Sequence, residues 1–436
     1  MKLLRILLSI VLVCAIAIGF PQNAWAFCGF YVAKADTKLY NKASQVVIAR
    51  DGSRTILTMA NDYQGDVKDF ALVVPVPVLL QEEQVRVGST KIMERLDAFS
   101  APRLVEYFDS DPCAVNYLNE NLPVPAPPAA PAESKARGDS SALGVTVEAR
   151  FTVGEYDIVI LSARESNGLE TWLNRSGYRI PQGANQLLRP YIRQNMKFFV
   201  AKVNLAEFEK SGYQFLRPLM MAYQSPKFML PIRLGTINST SEQDLIVYVL
   251  SPKGQAEVQN YRTVKVPSDA EIPVFVKKEF GDFYKAMFQT AYNQEGKKAV
   301  FLEYSWDMGS CDPCSAEPLN PEELKKAGVF WLTPGGATNV FITRLHVRYT
   351  RDKFPEDLMF QETSNSQLFQ GRYVLRHPFT GDIKCEAGQE YKKSLNERVE
   401  RESQTLAKLT GWKIQDIRKK NPTTSQPVPF WRNIWP

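Results

Sequence analysis

The residues best suited to chemistry in this 436-residue sequence are cysteines, and Cys311-Asp312-Pro313-Cys314 brings two of them into a Cys-x-x-Cys. That spacing serves thiol–disulfide exchange when the first sulfur sits at a helix N-terminus, where backbone donors and the dipole stabilise a thiolate. The neighbouring residues point elsewhere. Asn320, Pro321 and Glu323 carry the signature of a helix start, with proline at the first helical position and the glutamate closing a capping box. This start lies six residues beyond Cys314, so neither sulfur is expected at its dipole. A bridge inside the short loop, or from either cysteine to Cys28, Cys113 or Cys385, is the simplest expectation. Cys311 and Cys314 stand as the candidates for redox catalysis. Zinc is the weaker alternative, because only one pair has metal-site spacing. No metal site is assigned and no cofactor is expected.

Histidine is scarce, with His346 and His377 the only two. Nothing matches His-Glu-x-x-His, Gly-x-Ser-x-Gly or a phosphate-cradling glycine loop, which argues against a histidine-based hydrolase. His346 belongs to an alternating run in which Phe341, Leu345, Val347 and Tyr349 share one face of a strand and Arg344, His346 and Arg348 the other. Such a row of cations could bind an anion. A solvated sheet face, or pairing with nearby carboxylates, is the ordinary alternative. Asp109 and Asp111 read as solvated loop charges. Asp111-Pro112-Cys113 echoes Asp312-Pro313-Cys314 and places both cysteines in turns.

The elements that would position these groups follow from pattern. Gln45 to Ala49, the turn Asp51-Gly52 and Thr55 to Met59 form a hairpin. Phe70 to Val74 is a strand stopped by Pro75 and Pro77, and Ile92, Met93, Leu96 and Phe99 line one side of a helix. Val145 to Val153 and Tyr156 to Leu161 are strands. Asn167 and Glu170 are expected to cap the next helix, and Lys197 to Val203, Lys227 to Ile232 and Asp244 to Leu250 are further strands. A charged helix runs from about Glu390 to Thr410, stopped by Gly411, before the aromatic tail of Phe430, Trp431 and Trp435.

The first residues have the three-part order of a secretory leader: Lys2 and Arg5, an apolar run from Ile6 to Phe20, and Ala24-Trp25-Ala26. The run is shorter than the roughly twenty residues needed to span a bilayer. Cleavage near Ala26 would leave a chain exported to the periplasm or the outside, with no transmembrane segment. Cys14 goes with the leader, and five cysteines remain, an odd number that leaves at least one unpaired in a monomer. Net charge is +6, two of it from Lys2 and Arg5, and no dense basic run exists, so no nucleic acid partner is expected. This length exceeds what one core serves. The expected division is a leader at 1–26, a sheet-and-helix subdomain at 27–120 and a Pro/Ala-rich linker at 121–143. A central β-rich subdomain at 144–270, an α+β subdomain with the Cys-x-x-Cys at 271–388 and a C-terminal helix with its tail at 389–436 complete it. The fold class is α+β, with β-rich antiparallel sheets and several packed helices in a multi-subdomain arrangement.

A leader running into Phe27-Cys28-Gly29-Phe30, the strand and prolines of Phe70 to Pro77, and Tyr156 to Leu161 followed by Trp172, Tyr178 and Pro181 form an ordered set. With Ser225-Pro226-Lys227-Phe228 and Cys311-Asp312-Pro313-Cys314, this set resembles the exported bacterial proteins grouped as domain of unknown function 2330. The resemblance covers most of the mature chain and implies a bacterial envelope or extracellular setting and partner, with no established catalytic residues to transfer. The function expected is binding or scaffolding in that setting, and the alternative is a thiol–disulfide oxidoreductase using Cys311 and Cys314.

Overall fold

β-Branched, alternating segments become strands here, and helices cover the sheets they build. The computed structural model of the chain describes residues 30–33, 40–41, 44–60, 63–64, 70–114, 145–176, 183–211, 216–238, 242–312 and 316–421. The expected leader, the Pro/Ala-rich stretch, Cys28, Cys314 and the aromatic tail lie outside these residues. Strands β1 (Phe30–Ala33), β2 (Ser44–Asp51), β3 (Arg54–Ala60), β4 (Phe70–Val76) and β5 (Val85–Val87) precede helix α1 (Thr90–Ser100) and β6 (Arg103–Phe108). Next come β7 (Val145–Val153), β8 (Tyr156–Ala163), helices α2 (Ser166–Arg175) and α3 (Ala184–Arg193), and β9 (Lys197–Val203). Strands β10 (Leu219–Gln224), β11 (Gln243–Ser251), β12 (Thr263–Lys265) and β13 (Ala270–Glu271) lead to α4 (Phe280–Gln294) and β14 (Val300–Asp307). Then follow α5 (Pro321–Lys326), β15 (Phe341–Tyr349), β16 (Arg372–His377), α6 (Glu386–Thr410) and α7 (Ile414–Lys420).

The fold is mixed α+β with mostly antiparallel sheets. Its largest sheet runs β12-β14-β15-β11-β2-β3-β10-β5, and a five-stranded sheet runs β1-β4-β9-β8-β7. The two stack face to face: Ile48, Leu57, Val247 and Leu345 of the first share one apolar cluster with Leu72, Val74, Ile158 and Phe199 of the second. Helices α2 and α3 cover the outer face of the five-stranded sheet through Leu169, Leu173, Leu188 and Tyr191. Helices α1, α4 and α5 cover the outer face of the large sheet through Leu96, Phe99, Phe288 and Leu324. The layers are therefore helix, sheet, sheet, helix. A smaller sheet, β13-β16-β6, sits beside α4 and α6.

Strands from the three segments expected as separate subdomains lie side by side in the large sheet. Long-range pairing, such as β2 parallel to β11, joins what composition separates. Three local expectations differ from the structure. β4 runs through Pro75 to Val76, where Phe198 and Lys197 of β9 continue the pairing opposite them. Helix α2 starts at Ser166, which puts Asn167 inside the helix rather than at its cap, and the N-cap residue Glu165 makes no side-chain cap bond. Lys227 to Ile232 contributes only the short strand Met229–Leu230. Among the described residues, no helix is long and apolar enough to cross a membrane.

Candidate functional site

The densest cluster of chemistry-bearing side chains forms around the row on β15. Leu345, Val347 and Tyr349 point into the space between the sheets, so Arg344, His346 and Arg348 must face the helices. That face is not solvated, because α1 and α4 cover it and Arg344 and His346 are buried. The neighbouring strands supply carboxylates. Register pairs Asp244 of β11 with Arg348, and Arg348 grips it through Nε and Nη2 at 2.7 and 2.8 Å. On the other side, β14 shifts register between Leu302 and Tyr304. The bulge places Glu303 where its carboxylate accepts from Arg344 Nε at 2.6 Å and meets His346 Nδ1 at 2.8 Å.

The row is tied to both covering helices. Arg344 Nη1 donates to Asp97 Oδ1 of α1 at 2.6 Å, and the Tyr248 hydroxyl donates to the same oxygen at 2.9 Å. From α4, Gln289 accepts from Arg348 at 2.7 Å and the Tyr284 hydroxyl donates to Glu303. Phe288 stacks on the His346 ring with centroids 3.8 Å apart. Three cations and three carboxylates thus form one continuous chain, Asp97–Arg344–Glu303–His346–Asp244–Arg348.

Electrostatics follow from these contacts. Burial alone would raise the Glu303 carboxyl, but Arg344 and His346 outweigh it and hold it down at about 2. Asp244 is likewise held below the usual carboxylate range despite burial, by His346 and Arg348. For His346, burial favours the neutral ring, yet Glu303 and Asp244 raise its pKa above 6.5. Its Nε2 lies 3.0 Å from Asp244, so each ring nitrogen faces a carboxylate oxygen. Only the imidazolium can donate to both.

A folded-state pKa above the unfolded value stabilises most below pH 6.5, and that contribution is lost as pH rises through the folded pKa. Urea unfolding of the wild type and His346→Gln should therefore differ most in mildly acidic buffer. The difference should shrink as pH is raised from 6.5, and a gap that widens instead would contradict the pairing.

Of the five sulfurs expected in the mature chain, Cys113, Cys311 and Cys385 belong to the described residues. Cys113 bridges Cys385 across 272 residues, whereas Cys311 is unbridged and exposed. The Asp312 side chain is buried and accepts from the Tyr304 hydroxyl at 2.8 Å and Gln370 Nε2 at 2.6 Å, which anchors the loop inward beside an outward Cys311. Helix α5 begins where the sequence placed it. Asn320 Oδ1 accepts from Glu323 N at 2.9 Å, and the Glu323 carboxylate accepts from Asn320 N at 3.0 Å. Cys311 is therefore nine residues before that cap. Asn320→Ala should cost about 1 kcal/mol in denaturant unfolding. No measurable loss would mean that the cap carries no weight.

His377 ends β16, where Nε2 lies 2.8 Å from Glu106 and the ring stacks on Phe108. Asp109, expected to be a solvated loop charge, instead pairs with Arg398 and is bonded by Tyr391. The residues missed by the sequence reading are Asp97, Asp244, Tyr248, Tyr284 and Glu303. A lone carboxylate inside the apolar run Val300 to Trp306 was the one local signal for Glu303.

Comparison with known families matches residues 22–361 to the model described as an uncharacterized protein conserved in bacteria (DUF2330). No curated protein and no solved structure matches the chain.

Proposed function

The chain belongs to the bacterial family DUF2330, and on that premise we propose that it is an exported envelope protein that works by binding or scaffolding. The observation that carries this reading is the closure of the Asp97–Arg348 chain. Its charges match within the protein and hold α1 and α4 to the large sheet, so they build a rigid support. The leader pattern and the Cys113–Cys385 bridge support an oxidising compartment, periplasmic or extracellular, after cleavage near Ala26. The partner is an envelope or extracellular component rather than nucleic acid.

The exposed, unbridged Cys311 favours one second reading, a thiol–disulfide oxidoreductase using Cys311 and Cys314. Peptide mapping of alkylated protein from fractionated cells separates the two. Binding or scaffolding predicts Phe27 as the N-terminus, an intact Cys113–Cys385 bridge and a stoichiometric complex on cross-linking of intact envelopes. A Cys311–Cys314 pair that equilibrates with glutathione and reduces a protein disulfide would replace this reading with the enzyme. Uncleaved Met1 on cytosolic protein would remove the envelope setting.

A further inference from the structure

Helix α6 is held differently at its two ends. Toward its C-terminus, Leu406, with Ile417 of α7, packs among Phe283, Met287, Tyr373 and Leu375. Toward its N-terminus, Gly388 and Leu395 are the buried residues between Glu386 and Arg398. What holds that half is covalent and polar. Cys385, the N-cap residue, is bridged to Cys113. Asp109, just beyond β6, accepts from Arg398 Nη1 and Nη2 at 3.1 and 2.7 Å and from the Tyr391 hydroxyl at 2.6 Å. The family match ends at residue 361, so the bridge joins a matched cysteine to one in a segment beyond the match.

We infer that the N-terminal half of α6 is a latch, closed by the Cys113–Cys385 bridge and the Asp109 ion pair and opened when a dithiol reduces the bridge. In the opening step one thiolate of the dithiol attacks a bridge sulfur, giving a mixed disulfide and a released cysteine thiolate. The second thiol of the dithiol resolves the mixed disulfide. Cys113 and Cys385 end as thiols and the dithiol as its disulfide, two electrons and two protons having passed to the protein. With few buried side chains behind it, the released half is held chiefly by polar contacts, those of Asp109 and the Phe379 N–H that donates to the Tyr391 hydroxyl at 2.9 Å.

A buried carboxyl next to these contacts adds a pH dependence. Glu402 is buried, with Oε1 3.5 Å from Arg398 Nε. The charged groups facing it are Arg398 on its own helix, Glu271 of β13, Asp109 beyond β6 and Arg376 of β16. Burial pushes the Glu402 carboxyl up to about 7, with Glu271 and Asp109 adding to the effect and the arginines opposing it. A raised carboxyl favours the docked helix while it is protonated, and that support is lost as pH rises through 7. Opening should therefore be easier in mildly alkaline buffer.

Hydrogen exchange of the full chain, oxidised and after dithiothreitol, with the bridge state read by mass, tests the latch. After correction for intrinsic rates, peptides from 386–398 should exchange at least tenfold faster on reduction, with a larger gain at pH 8 than at pH 6. Peptides from 403–417 and from β15 should keep their protection. Unchanged exchange over 386–398, a bridge that survives the dithiol in the folded chain, or loss of protection over β15 as well would each overturn the latch. Glu402→Gln should abolish the difference between the two pH values, and a difference that persists would remove Glu402 from the device.

Discussion

Replacing Glu303 with alanine is expected to lower the free energy of unfolding by about 3–5 kcal/mol, the range found when one partner of a buried ion pair is removed. Glu303 is 1% exposed and accepts from Arg344, His346 and Tyr284. Without it, Arg344 keeps only Asp97 as a carboxylate partner and His346 keeps only Asp244. His346 can shed its proton, but a guanidinium cannot escape in that way. The Arg344 charge, already buried, therefore dominates the loss. Removing both partners tests this cause. The double variant Glu303→Leu/Arg344→Met should recover much of the loss, because a matched apolar replacement leaves no orphaned charge. Denaturant unfolding measures both variants. A double variant as unstable as the sum of its single changes would show that the pair contributes packing rather than charge balance.

The second large effect is expected from the bridge. Cys113→Ser/Cys385→Ser should lower global stability by about 2–5 kcal/mol, since a cross-link that closes a long loop restricts the unfolded chain most. The bridged residues are 272 apart, which puts this loop at the long end. The bridge ties β6 to the start of α6, near the Asp109–Arg398 pair, which remains in the double variant. Native-state order in the large sheet should consequently survive the substitution. Urea unfolding without reductant, compared with the wild type, measures the loss. Equal midpoints and slopes would show that the bridge closes a loop already constrained in the unfolded ensemble.

Patterns set by near neighbours were legible in the sequence. The hairpin of β2 and β3, the apolar side of α1, the cap at Asn320 and the alternation of β15 depend on residues a few positions apart, and each was readable. The candidate site depends on partners that no local pattern supplies. Arg344 meets Glu303 across 41 residues and Asp97 across 247, and His346 meets Asp244 across 102. Alternation identified the face that carries Arg344, His346 and Arg348. It could not show that helices cover that face, which turns a solvated row into a buried one. The bulge at Glu303 is similarly invisible, because it is defined by the register with β15. Spacing also could not choose Cys113 for Cys385, since the pairing depends on β6 lying parallel to β16.

The polar face of β15 is an internally neutralised chain in which each ring nitrogen of His346 faces a carboxylate. With only two histidines in the sequence, a nitrogen-resolved NMR titration of the imidazoles, with His377→Gln to assign the signals, reads that state directly. His346 is expected to be an imidazolium in mildly acidic buffer, with both N–H protons protected by Glu303 and Asp244, and to titrate above 6.5. A ring with one bare nitrogen at pH 6, or a midpoint at or below the ordinary histidine value, would overturn the pairing.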